Sequence, residues 1–140
     1  MYYKGALMLN TIRHIINDDA KWWKLLYNYS ETYKKQIIDT KTVIDYFNKE
    51  SGLDLTSVFN QYLTTTKIPK LVLSKTGNKL SYEWQNVNTD FKMPVDIVIN
   101  EKTIRLHPTT SKQETKIDKK IKLENIQVKT NQFFIKVEKK

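Results

Sequence analysis

Gln61-Tyr62-Leu63-Thr64-Thr65-Thr66-Lys67-Ile68-Pro69-Lys70-Leu71-Val72-Leu73 divides the chain in two. Before it, apolar residues recur at three- and four-residue spacing, the period of a helix that buries one face. After it they recur every second residue, the period of a half-buried strand. The β-branched run Thr64-Thr65-Thr66 ends the first pattern, and Ile68-Pro69 introduces the second. Helices followed by strands, without alternation, predict an α+β chain. The expected architecture is an antiparallel set of about four helices in residues 1–66. A small antiparallel, Ig-like β-sandwich follows in residues 67–140.

Toward the N-terminus, Asp54 is placed to cap a fourth helix whose buried stripe is Leu55, Val58, Phe59, Tyr62 and Leu63. A third helix starts at Asp39-Thr40, buries Val43, Ile44 and Phe47, and closes at Ser51-Gly52, where glycine tolerates the left-handed turn. A second runs from a cap at Asp18 or Asp19 to about Tyr33. Its inner face is Trp22, Leu25, Leu26, Tyr29 and Tyr33, with Trp23 and Tyr27 to the side and partly wet. The first helix covers residues 4–16, with Leu9, Ile12 and Ile16 as its stripe and Ala6, Met8 and Ile15 widening it. Connections of two to six residues make such helices antiparallel neighbours.

Toward the C-terminus, Leu71 and Leu73 pair across the turn Thr76-Gly77-Asn78 with a strand carrying Leu80, Tyr82 and Trp84 on one face. Val95, Ile97 and Ile99 turn at Asn100-Glu101-Lys102 into Ile104 and Leu106, a second hairpin. Residues 108–120 read as a polar loop or irregular edge. Ile121-Leu123, Ile126-Val128 and Phe133-Ile135-Val137 complete six or seven short strands.

The chain has 140 residues, 28% charged and 39% hydrophobic, the balance of a globular rather than a disordered protein. It has no cysteine, which excludes disulfides and cysteine–zinc sites. No apolar run approaches the roughly 20 residues of a membrane span. The net charge of +9 sits almost wholly in residues 67–140, as lysines at alternating positions with Arg105 the one arginine among them. Base readout and bidentate phosphate grips favour arginine, so a solvated lysine-rich sheet face is the reading and nucleic acid is not an expected partner.

The chemistry-bearing stretch is the first: Tyr2-Tyr3-Lys4-Gly5-Ala6-Leu7-Met8-Leu9-Asn10-Thr11-Ile12-Arg13. It resembles a segment of the M1 family of zinc aminopeptidases, whose catalytic domain is thermolysin-like. The family carries Tyr-x-Lys-Gly-Ala ahead of a helical apolar run. The resemblance continues through Gly52-x-Asp54-Leu55, Phe59, Gln61-Tyr62-Leu63 and Pro69-x-Leu71, with Tyr62 where the family commonly has Trp. It implies a role for Tyr2: its hydroxyl would donate to the oxyanion that develops on the peptide carbonyl. Such donors are worth about 2–4 kcal/mol in the transition state. Tyr3, at the variable position, is the rival. The resemblance also implies a zinc ion that activates water in the whole enzyme. Gly5 is expected to let the helix start approach a neighbouring backbone closely.

The family's zinc site needs His-Glu-x-x-His and a more distant Glu. This chain has only His14 and His107, neither followed by Glu, and it lacks the family's Gly-x-Met-x-Asn motif. Read this way, the chain is the C-terminal piece of such an enzyme. Residues 1–66 are the last helices of the catalytic domain, residues 67–140 a structural sandwich, and no zinc is held in this chain. Peptides are then substrates of the whole enzyme, and the rest of the catalytic domain is the partner of an exposed helical face that otherwise self-associates. The piece alone is inactive. A cysteine-free, lysine-rich chain of this kind suits an exported, periplasmic or cell-surface bacterial enzyme. The alternative is a stand-alone binding module that uses the basic sheet face on anionic partners.

Overall fold

The structure, a computed structural model, describes residues 2–34, 36 and 39–140, with the side chains of residues 2–4 outside the described part. Four helices come first: α1 (Tyr2–Ile16), α2 (Asp19–Thr32), α3 (Thr40–Ser51) and α4 (Thr56–Thr64). Seven strands follow: β1 (Lys70–Thr76), β2 (Lys79–Gln85), β3 (Val95–Ile99), β4 (Lys102–Leu106), β5 (Gln113–Lys116), β6 (Gln127–Val128) and β7 (Lys136–Lys139). The expected α+β architecture is present. The helical region ends two residues before Thr66, and the first strand starts three residues after Lys67.

Local chemistry sets the helix ends. Asp18, not Asp19, is the cap of α2 and accepts the Lys21 backbone N–H at 3.1 Å. Asp39 does the same for Thr42 at 2.8 Å. Gly52 closes α3 at φ 74, in the left-handed region. At α4 the cap position belongs to Leu55, which has no side-chain oxygen. Asp54, one residue earlier, accepts the Thr56 N–H instead, at 3.2 Å. α1 begins at Tyr2, earlier than the expected residue 4. Among the described residues a Cβ on Gly5 would meet nothing within 4 Å, so none of them makes the expected close backbone approach there.

One sheet has the order β5-β2-β1-β7 and the other β4-β3-β6. The two expected hairpins are β1–β2, with Leu71 opposite Trp84 and Leu73 opposite Tyr82, and β3–β4, with Ile97 opposite Ile104. Gly77 alone takes positive φ in the first turn, the type II′ pattern. Asn100 and Glu101 both take it in the second, the type I′ pattern. Two expectations change, and for residues 108–120 the edge alternative holds. β7 lies parallel to β1, so the sheets are not wholly antiparallel. Ile121–Leu123 is not a strand, and a single 3-10 turn at Leu123–Asn125 stands in its place. The polar segment 108–120 contributes β5 as the edge partner of β2, carrying no large apolar residue of its own.

A single core joins helices and sheets. Ile12, Trp22, Phe47, Leu55 and Phe59 belong to the same buried cluster as Leu71, Leu73, Leu80, Trp84, Val95, Ile97, Ile126 and Phe133. The ring pairs Trp22–Phe47, Tyr29–Tyr46 and Phe47–Phe59 interlock α2, α3 and α4, with centroids 6.2, 5.3 and 5.5 Å apart. Trp23 and Tyr27 are exposed, as their sideward position on α2 implies. Leu9 and Leu63 depart from their stripes: they are 38% and 47% exposed.

Polar clamps fix how the layers meet. Thr11 on α1 is fully buried, and its hydroxyl oxygen accepts the Phe134 N–H at 2.9 Å. Tyr62 on α4 donates to the Phe134 carbonyl at 2.7 Å. Burial pushes the Tyr62 phenol well above its ordinary pKa, so it remains a donor. Gln61 accepts the Asn88 N–H at 2.7 Å and donates to the Lys67 carbonyl at 3.2 Å. Removing one partner strands a buried group at a cost of about 1–3 kcal/mol. Thr11→Val and Tyr62→Phe are each expected to lower unfolding free energy by about that much, measured by urea denaturation with an unchanged slope.

Asp39 and Asp54 also respond to acid. Their carboxyls are held below the ordinary range by the hydroxyl and then the backbone N–H of Thr42 and Thr56 respectively. A depressed folded-state pKa gives stability that is present above the unfolded value, about 3.9, and lost as pH falls through the lowered one. Helical signal is therefore expected to decline only below about pH 4. Asp39→Asn should flatten that decline; an identical acid profile would count against the capping role.

Candidate functional site

α1 carries candidate chemistry at both ends. Fifteen residues at 1.5 Å rise separate them by roughly 20 Å. Tyr2 is the first residue of the helix. Its side chain, and that of its rival Tyr3, fall outside the described part, so the hydroxyl assigned by the motif has no described surroundings. At the other end lie His14 and Ile15. The structure does not bring the Tyr2 end and the histidine end together.

The C-terminal end of α1 is gripped from the sheet. Arg105 on β4 donates from Nη2 to the His14 carbonyl at 2.6 Å and from Nη1 to the Ile15 carbonyl at 2.8 Å. These carbonyls are among the acceptors that a helix leaves unpaired at its end, and a cation there also meets the negative end of the helix dipole. Asp96, opposite Arg105 in the β3–β4 ladder, orients the guanidinium with two bonds, Nε to Oδ1 at 2.8 Å and Nη2 to Oδ2 at 3.3 Å. The Asp96 side chain is 9% exposed, so the pair is largely withdrawn from water on its carboxylate side.

Beside this clasp is a cavity of about 330 Å³. Ile15, Leu53, Leu55, Val58, Met93 and Pro94 give it apolar walls, and Asp54, Lys92, Arg105 and His107 stand at its polar margin. Its size is at the lower end of small-molecule sites. Of the two histidines, His14 spends Nδ1 on the Asn10 carbonyl at 2.8 Å and lies 6.1 Å from the Phe133 ring. His107 lines the cavity. Among the described residues, no three His, Cys, Asp or Glu side chains are grouped to hold a metal ion. The described side chains taken alone do not make up a zinc site.

The clasp was not legible as a site in the sequence. Arg105 stands out there only as the lone arginine of a lysine-rich half, and Asp96 looks like an ordinary polar alternate of a strand. The signal, in hindsight, is a charged pair directly opposite across a two-residue hairpin. Several lysines of the sheet half are also committed: Lys70 to Glu138 at 3.3 Å, Lys75 to the Lys119 carbonyl at 3.0 Å and Lys139 to the Ile126 carbonyl at 2.6 Å.

The fold of this chain is similar to part of a solved structure. Legionella pneumophila aminopeptidase A, in its crystal structure in complex with aspartic acid, matches this chain with a TM-score of 0.75. The likeness is one of fold, to one part of that protein. The match covers 97% of this chain at 12% identity, and only 17% of the Legionella chain, so this chain spans about a sixth of that protein. No family model matches the sequence, and no curated protein does. No helix among the described residues is long and apolar enough to cross a membrane.

Removing the arginine should loosen the junction of α1 with the sheets. Arg105→Met would leave a nearly buried carboxylate unpaired and two helix-end carbonyls without donors. The expected loss is about 3 kcal/mol in chemical denaturation. Arg105→Lys should recover little of it, because one ammonium cannot reproduce the fork. Full stability of either variant would show that the clasp is dispensable.

Proposed function

We propose that this chain is the C-terminal part of a zinc-dependent aminopeptidase of the M1 kind, which releases N-terminal residues from peptides. The observation that carries this reading is the likeness along nearly the whole chain to one part of an aminopeptidase. Twelve per cent identity speaks for the fold alone. The chemistry rests on the motif Tyr2-x-Lys4-Gly5-Ala6 at the start of the first helix. The two indications are independent, one from backbone shape and one from residue types.

In this reading the described residues supply no metal site, and zinc binding falls to a part of the polypeptide outside this sequence. Tyr2 donates a hydrogen bond to the oxygen that becomes negative as the scissile carbonyl turns tetrahedral. The donor is useful because charge grows there only in the transition state. The remaining helices and the sandwich hold α1 in place. The exposed Leu9, Trp23 and Tyr27, together with Arg13 stacked 5.3 Å over Trp23, form the face assigned to the rest of the catalytic domain.

Two measurements test this. The 140-residue chain with added zinc should not hydrolyse aminoacyl-nitroanilides above the blank; a rate abolished by Tyr2→Phe would overturn the division of labour. In a longer polypeptide that carries His-Glu-x-x-His and a further Glu, Tyr2→Phe should lower kcat about 10²–10³-fold with KM little changed. An unchanged kcat would remove Tyr2 from the reaction and leave Tyr3 as the candidate.

A further inference from the structure

The two sheets have four edge strands, and three are poor templates for another strand. β5 is four residues without an apolar side chain, Gln-Glu-Thr-Lys. β6 has two residues. β7 alternates Lys136, Val137, Glu138 and Lys139, and its exposed positions are charged. Short, charged edges discourage edge-to-edge pairing. β4 differs. It pairs only with β3, and at its centre Ile104 is 41% exposed. Ile104 faces the core side, because its partner across the ladder is Ile97, which is 1% exposed. It is wet because the seam between β4 and β5 is open. Tyr82, Ile104, Leu106, His107, Gln113 and Glu114 line a groove there. Within it, Gln113 Oε1 is buried without a hydrogen-bond partner among the described residues.

The backbone of β4 is arranged to receive a strand. In a two-residue hairpin the flanking pair, Ile99 and Lys102, exchanges hydrogen bonds, and bonded pairs alternate from there. Lys102, Ile104 and Leu106 therefore point their backbone groups at β3, while Thr103 and Arg105 point theirs outward. No backbone bond joins either outward residue to another described residue.

We propose that β4 pairs antiparallel with β4 of a second copy of this chain, about a two-fold axis at Ile104. That register satisfies several demands at once. Thr103 of each copy faces Arg105 of the other, so the outward N–H and C=O groups meet one another. Ile104 faces its own counterpart at a non-hydrogen-bonded position, where side chains approach most closely. Glu101 faces His107, and Lys102 faces Leu106, so no like charges stand directly opposite. Arg105, though cationic, is already paired with Asp96. The contact is isologous and closes on itself, so it makes a dimer rather than a fibre. It does not rest on the aminopeptidase reading.

The experiment is sedimentation velocity on the whole chain from micromolar to near-millimolar concentration, repeated for three variants. Wild type is expected to dimerise. Ile104→Lys places charges face to face at the axis, and Thr103→Pro removes an outward N–H that β3 does not use. Both should abolish the dimer, with circular dichroism and thermal midpoint read in parallel. Trp23→Ser, on the exposed helical face, should leave it intact. If Thr103→Pro fails to fold, Ile104→Lys decides alone. A monomer at every concentration overturns the proposal. So does a dimer that survives Ile104→Lys, and so does one lost on Trp23→Ser, which would place association on the helices.

Discussion

Residue 134 is held from both sides. Its N–H goes to Thr11 of α1 and its carbonyl to Tyr62 of α4, and two residues later the chain enters β7. β7 in turn pairs parallel with β1, the strand that follows α4. A parallel pair needs a long return path, and here the return is the rest of the sandwich, some sixty residues. The clamp sets where that path ends. Without it, Phe133 and Ile135 would still seek the core, and the register of β7 against β1 would rest on the strand ladder and the Lys70–Glu138 pair alone. Apolar burial drives the layers together without direction. A buried donor or acceptor that must be matched gives the contact a single answer.

The same division of work explains what could be read in advance. Helix existence and hairpin pairing follow from periodicity and turn residues. Asp18, Asp39, Gly52, Gly77 and Asn100 each act within a few positions of themselves, so sequence spacing reveals them. Leu63 misleads because a stripe drawn on an isolated helix assumes that the covering layer is as wide as the stripe. β7 misleads because local pattern says nothing about which distant strand it will join. Ile121–Leu123 has strand-like alternation, but it lies in a lysine-rich connection that tightens into a 3-10 turn at Leu123–Asn125. Arg105 and Asp96 escaped notice for a related reason. Their meaning depends on α1 ending above them, ninety residues away in sequence.

Of the candidate site, Tyr2 was named from a motif, and its side chain is not among those described. The cavity beside the Arg105 clasp was not foreseen, because its walls come from four separated segments around Ile15, Leu53–Val58, Met93 and His107. No window of sequence contains more than one of them. Gly5 shows the opposite error. A motif glycine invites a close-packing argument, yet among the described residues the space around it is open. Its place at the first turn of a helix is conformationally ordinary, and packing against the described residues does not explain it.

The buried polar side chains carry one further implication. Thr11, Ser57, Gln61 and Asp96 are each fully spent on the chain's own groups: Phe134, Lys92, Asn88 with Lys67, and Arg105. A catalytic centre does the reverse, since it keeps polar groups aimed at space where substrate will sit and accepts the cost in stability. These four buried side chains hold elements of the chain to one another. α1 is held by Thr11 at its middle and by Arg105 at its end, and Tyr2 is its first residue. A donor that must meet an oxyanion within a few tenths of an ångström needs a rigid helix behind it. The clamps and the motif thus fall on the same element, one set restraining it and the other, under the proposed function, using its tip.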